Sequence, residues 1–270
     1  MARRKYSGIC HICGIEGKLS YEHVPPESAF NDHRVVRAIQ KDLFNIDWDG
    51  KKGDILQKGS GAHTLCGKCN NDTGSWYAAE YASWAKQGME ALIRIDEEDR
   101  LPFFVRFSGY PLRLLKQVIT MHFSTNSYGY ADKHPELVRF IMDRNSRQLP
   151  PRYKIDLVLV RGHHRSTGVY SVLNLDTRRF DIASEVAHLP FSFVLRFVDN
   201  TNDPTACERH GPIEHFADYD YDTRLSVWVQ TIAGHITNAA FPGDYRSLTE
   251  LRKCREESEL EERIARSLKG

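Results

Sequence analysis

An α+β fold is the class this sequence predicts, and three observations carry it. The first third holds four cysteines in two C-x2-C pairs among glycine-rich polar turns, the pattern of short strands and loops gathered round a metal. Apolar residues then recur at spacings of three and four, the period of a buried helix face. Beyond residue 150 the period changes to short β-branched and aromatic runs bounded by Gly, Asn, Asp and Pro, as in antiparallel strands.

The length of 270 residues and the 41% apolar content supply a sizeable core and exclude disorder as the main state. No apolar run approaches the roughly 20 residues of a membrane span, and "MARRKYSGIC" lacks the apolar stretch of a signal peptide, so a soluble cytoplasmic protein is expected. A net charge of +1 neither demands nor excludes a polyanionic partner. Six cysteines without a secretion signal argue against a disulfide framework. Cys10 with Cys13 and Cys66 with Cys69 form the pairs, whereas Cys207 and Cys254 stand alone.

Taken in order, "WDGKKGD" and "KGSGAH" read as turns, and a helical pattern begins near Asn71. Trp76, Tyr77, Tyr81, Trp84 and Ala85 mark its buried face, with Gly88 as a stop or kink. The run "RIDEEDR" forms a solvated boundary, dividing residues 1–98 from an α+β region over 99–246. There "PLRLLKQVITMHF" opens on Pro111 in a first helical turn and sets Leu112, Leu115, Val118 and Ile119 on one face. A second short helix, "HPELVRFIMDRN", ends at the prolines of "LPPRYK". Strands are predicted at "YKIDLVLVRG", "GVYSVLNLDT", "FSFVLRFVDN" and "RLSVWVQTI", the last half-buried with Trp228 in the core. The charged segment over 247–270, anchored by Leu251, Leu260 and Ile264, predicts a surface helix.

Four thiolates in two C-x2-C pairs suit tetrahedral Zn2+, each pair making a knuckle and the two closing the shell. Such a site is structural and cross-links segments distant in sequence. Between the pairs lies "LSYEHVPPES", a strand that ends in Glu22 and His23. After the second pair come Asn70, Thr73 and Gly74.

"CHICG", "LSYEHVPPES" and "TLCGKCNNDTG", in this order, resemble the zinc-stapled branch of the HNH endonucleases, and they bracket about a quarter of the chain. The resemblance implies a ββα-metal fold for residues 1–98, with two strands and a helix gripping one divalent ion. It implies that His23 is the general base, and that Glu22 and Asn70 hold a catalytic Mg2+ or Mn2+ beside structural Zn2+ on Cys10, Cys13, Cys66 and Cys69. Hydrolysis of DNA to a 5′-phosphate and a 3′-hydroxyl would follow, in a setting of restriction or antiphage defence. The chemistry is consistent with those residue types: a neutral imidazole accepts a proton from water near pH 7, and carboxylate oxygen suits a hard cation. Asn70 or Asn71 also reads as a helix cap, and Gly74 as a site of close packing or turn geometry.

One departure stands out. The family's middle Asn, which orients the base, is Gly61 here, with His63 two residues on as a substitute orienting group, phosphate contact or metal ligand. Arg3, Arg4, Lys51, Lys52, Lys58 and Lys68 are the candidate phosphate contacts. DNA is the expected partner and RNA the alternative. The second half is expected to serve specificity, homo-oligomerisation or sensing of an activating partner. A competing expectation is a zinc module that binds nucleic acid or protein without turnover.

Overall fold

The computed structural model describes residues 6–37, 54–95, 103–162, 165–174, 179–197 and 211–236. They form a mixed helical and sheet structure, in keeping with the α+β class. The segment over 247–270, Cys207, Arg3, Arg4, Lys51 and Lys52 lie outside the described residues. No described helix is long and apolar enough to cross a membrane.

The chain opens with β1 (Ser7–Ile9) and β2 (Glu16–His23), passes through a small ribbon of β3 (Val35–Arg37) and β4 (Asp54–Leu56), and returns in β5 (Gly61–Cys66). Antiparallel pairing orders three of these strands β1-β2-β5. The register shifts between Ser20, opposite Leu65, and Tyr21, opposite His63, so Thr64 has no partner in the ladder. Such an extra residue increases local twist and re-aims side chains. Past the shift, alternation sends Glu22 inward, where it is buried, and leaves Tyr21 on the other face, its ring edge-on to both His23 and His63.

Cys66 ends β5 and starts α1 (Gly67–Thr73) at once, because its sulfur accepts from the Cys69 amide and caps the helix. The helix therefore starts before the Asn71 expected from the sequence, and neither Asn70 nor Asn71 is the cap. A π-helical turn (Gly74–Ala78) continues α1 without a break in helical backbone angles into α2 (Ala79–Arg94). Tyr77, Tyr81, Trp84 and Ala85 are buried, as their spacing predicts. Gly88 neither stops nor kinks α2: a Cβ there would lie 2.6 Å from ring atoms of Phe191, so hydrogen alone fits between helix and sheet.

Gln87 of α2 binds Ser108 of β6 (Phe103–Gly109) as a neighbouring strand would, its Oε1 accepting from the backbone N at 2.7 Å and its Nε2 donating to the backbone O at 2.9 Å. Then α3 (Pro111–Thr125) begins on the expected proline but is enclosed on all sides, not along one face. It runs between the front strands and the larger sheet, so its polar residues need internal partners. Lys116 Nζ donates to the carbonyls of Phe140 and Asp143, at 2.7 and 2.5 Å, at the end of α5 (Pro135–Met142), which follows the short α4 (Gly129–Lys133). Burial pushes the Lys116 ammonium down to about 7, against the opposing pull of Asp143.

The larger sheet has five strands: β7 (Tyr153–Gly162), β8 (Arg165–Asn174), β9 (Arg179–His188), β10 (Phe191–Phe197) and β12 (Ala233–Ile236). Their order is β12-β7-β10-β9-β8, antiparallel except for the parallel pair β12 and β7. The four strands predicted from sequence are present, while β6, β9 and β12 arise where none was expected. In β9 the run "RFDIASEVAH" sets buried Ser184 and Glu185 into the sheet, the latter accepting from Ser192 at 2.6 Å, and this mixture hides the apolar alternation. β11 (Leu225–Thr231) pairs with β6 and turns Val227, Val229 and Thr231 inward. Trp228 is therefore out of phase with the buried face and 64% exposed, contrary to its expected place in the core. One buried apolar cluster extends from Cys10 to Ala233, with Trp84 stacked on Phe107 at 4.6 Å inside it.

Candidate metal centre and adjoining cleft

The sulfurs of Cys10, Cys13, Cys66 and Cys69 all lie within 4.8 Å of one another, the only such His, Cys, Asp and Glu group among the described residues. Zinc–sulfur bonds of about 2.3 Å place tetrahedral sulfurs roughly 3.8 Å apart. Cys13 and Cys66 sulfurs stand at 3.9 Å. The first knuckle closes by Gly14 N donating to Cys10 O at 2.9 Å, with Gly14 at φ +70°, a conformation glycine adopts without strain. A hydrogen bond from the Cys69 thiol, opposed by burial and aided by backbone amides, holds Cys10 down at about 4; the same bond and burial push Cys69 up. Burial also raises Cys13. Thiols this crowded cannot all ionise without a cation among them, and the donor set suits structural Zn2+.

Immediately beside this cluster, β2, α1, the π turn and α3 enclose an open cleft of roughly 170 Å³. Glu22, His23 and Asn70 all line it, with Glu27, Thr73 and Gln117. Glu22 and His23 point to opposite sides of β2 but both border the cleft, because it sits at the strand's end. Gly74 and Ala78 give one wall, and nothing lies within 4 Å of a Cβ built at Gly74. Gly74 thus leaves room at the cleft instead of serving close packing, and its backbone is ordinary right-handed helix.

His23, Glu22 and Asn70 are each held by specific bonds. His23 Nε2 lies 2.8 Å from the Lys58 carbonyl. A carbonyl can only accept, so Nε2 carries a proton, and in the neutral ring the lone pair is on Nδ1. The Glu22 carboxylate, 6% exposed, accepts from the hydroxyls of Ser124 and Thr64, the latter at 3.3 Å. Burial lifts Glu22 to about 7, while those two hydroxyls pull it down and Cys10 pushes it up. Asn70 Nδ2 donates to Ser20 Oγ and to Tyr21 O, both at 3.1 Å, which orients the amide and leaves Oδ1 for another partner. Gln117 Oε1 is buried without a hydrogen-bond partner among the described residues.

His63 does not line the cleft: its ring stacks on Tyr6 at 3.6 Å, and burial lowers its pKa. The group that orients His23 is the Lys58 carbonyl. The Lys68 ammonium is paired with Asp72 at 2.6 Å one helical turn on. Ser124, Thr64, Gln117 and the Lys58 backbone were not singled out by the sequence. Nothing in sequence could mark a main-chain oxygen or a serine 102 positions from its carboxylate. No protein-family model, no curated protein and no solved structure matches this chain.

Proposed function

We propose that this chain is a divalent-cation-dependent endonuclease of the HNH type, hydrolysing phosphodiester bonds of DNA in the cleft beside its cysteine cluster. The observation that carries it is the convergence of Glu22, His23 and Asn70 on one cleft at the junction of β2, β5 and α1, next to four clustered cysteines. Those cysteines tie the loop before β2 to the first turn of α1, so the metal staple sets the spacing of the strand and helix that bear the three side chains.

In this mechanism His23 Nδ1 takes the proton of the attacking water. The Lys58 carbonyl holds the Nε2 proton, which selects the productive tautomer and stabilises the imidazolium as it forms. The Glu22 carboxylate and Asn70 Oδ1 are the oxygens that would hold Mg2+ or Mn2+. Ser20 and Tyr21 fix the Asn70 amide, and Ser124 and Thr64 fix the carboxylate. The cation, when bound, supplies positive charge to the phosphate oxygens and the leaving group.

One observation favours a second reading, a zinc module that binds nucleic acid without turnover. Glu22 is held near 7 by burial and already accepts from two hydroxyls, which weakens it as a cation ligand at neutral pH.

Cleavage of plasmid DNA by zinc-loaded wild type and His23→Ala, with Mg2+, Mn2+ or EDTA, separates the two. Metal-dependent nicking that falls at least about 100-fold in His23→Ala is expected, the size of a lost general base. Intact DNA and intact RNA in every metal, with bound zinc and retained DNA affinity, would leave the binding module as the function.

A further inference from the structure

We propose that Gln117 Oε1 is a third protein oxygen for the divalent cation of this cleft, completing a site on which Glu22, Asn70 and Gln117 converge from β2, α1 and α3. The proposal rests on the nuclease function above and adds a ligand from outside the strand–strand–helix unit.

Gln117 sits in the middle of enclosed α3, is 4% exposed, and lines the cleft. On that helix Lys116 donates to two carbonyls, Thr120 to Lys116 O, and Ser124 to Glu22, while His122 Nε2, away from the cleft, is buried without a partner among the described residues. Gln117 Oε1 likewise has none among them. A buried acceptor left unpaired is destabilising, and such atoms are rare in native proteins except where a ligand takes them.

The surroundings decide which ligand. Asn70 has committed its amide hydrogens to Ser20 and Tyr21 and offers oxygen. Glu22 offers carboxylate oxygen, Glu27 stands at the same cleft, and among the described residues no lysine or arginine lines it. A phosphate or carboxylate would meet acceptors facing acceptors. A hard divalent cation meets the oxygen donors it prefers, with water filling its remaining positions.

The test is Mn2+ binding to the zinc-loaded full-length protein without nucleic acid, read from loss of the free-ion electron paramagnetic resonance signal. Wild type, Gln117→Met, Gln117→Glu and Asn70→Ala are compared, with thermal unfolding in the presence and absence of Mn2+. Wild type should bind one Mn2+. Gln117→Met, similar in length but lacking the oxygen, should bind about tenfold more weakly, yet unfold no earlier than wild type when Mn2+ is absent. Gln117→Glu, which keeps an oxygen and adds charge, should bind more tightly. Gln117→Met binding like wild type while Asn70→Ala is weakened would overturn the Gln117 assignment and leave the cation site standing, as would a Gln117→Glu no tighter than wild type. Wild type that binds no Mn2+ at millimolar concentration would overturn both.

Discussion

In β2 only Leu19 and Glu22 of eight residues are buried, whereas in β10 the first five of seven are, Phe191 through Leu195. The two sheets of one molecule are thus held by different means. The front strands present little apolar surface and depend on the cysteine cluster and on polar clamps such as Asn70 to Tyr21 and Ser124 to Glu22. In the larger sheet β7 and β10 are held by side chains removed from water on both faces, each large apolar one contributing about 2 to 3 kcal/mol. Polar groups can point into a cleft where clustered cysteines and polar clamps, more than apolar burial, hold the backbone.

The sharpest way to break this comparison is Cys69→Ser, which removes a buried ligand. Loss of about one zinc per chain is expected, with collapse of hydrogen-exchange protection in β1, β2 and β5 while the β7, β10 and β9 ladder keeps most of its own. Equal loss in both sheets would show one cooperative unit instead. The complementary change is Gly88→Ala, where the new methyl meets the Phe191 ring. Urea unfolding should show destabilisation of about 1 to 3 kcal/mol with zinc content unchanged. A loss of zinc in that variant would join the two regions.

The smallest effect is a pH dependence in the enclosed helix that separates them. Folded Lys116 loses its proton near 7, well below the ordinary lysine value of 10.5. Between these values the unfolded chain binds the proton and the folded chain does not, so stability rises with pH across that window and this gain is absent below about 7. Lys116→Met lacks that rise. The stability difference between wild type and variant should therefore move in favour of wild type, by on the order of 1 kcal/mol, from pH 6.5 to pH 9.

What the sequence disclosed depended on how local the cause was. Pro111 announced its helix because a first-turn proline acts within its own turn. The cysteine pairs announced a cluster able to hold a metal because ligand spacing is written in the chain. β9 stayed hidden because its buried Ser184 and Glu185 are satisfied by other elements, and Trp228 was misplaced because one residue of phase exchanges the faces of a strand. At the cleft, Glu22, His23 and Asn70 could be picked out by type and order. The Lys58 carbonyl, the Ser124 clamp and the orphaned Gln117 oxygen could not, since each takes its meaning from chain folded in from elsewhere.

The hydroxyl that Ser124 lends to Glu22 also limits how this protein can be cut and joined. A fragment ending after α2 would carry every cysteine of the cluster together with Glu22, His23 and Asn70, but its key carboxylate would lose both a bonding partner and the helix that shields it. A chimera that is to keep the surroundings of Glu22 intact must therefore import α3 along with the first two helices.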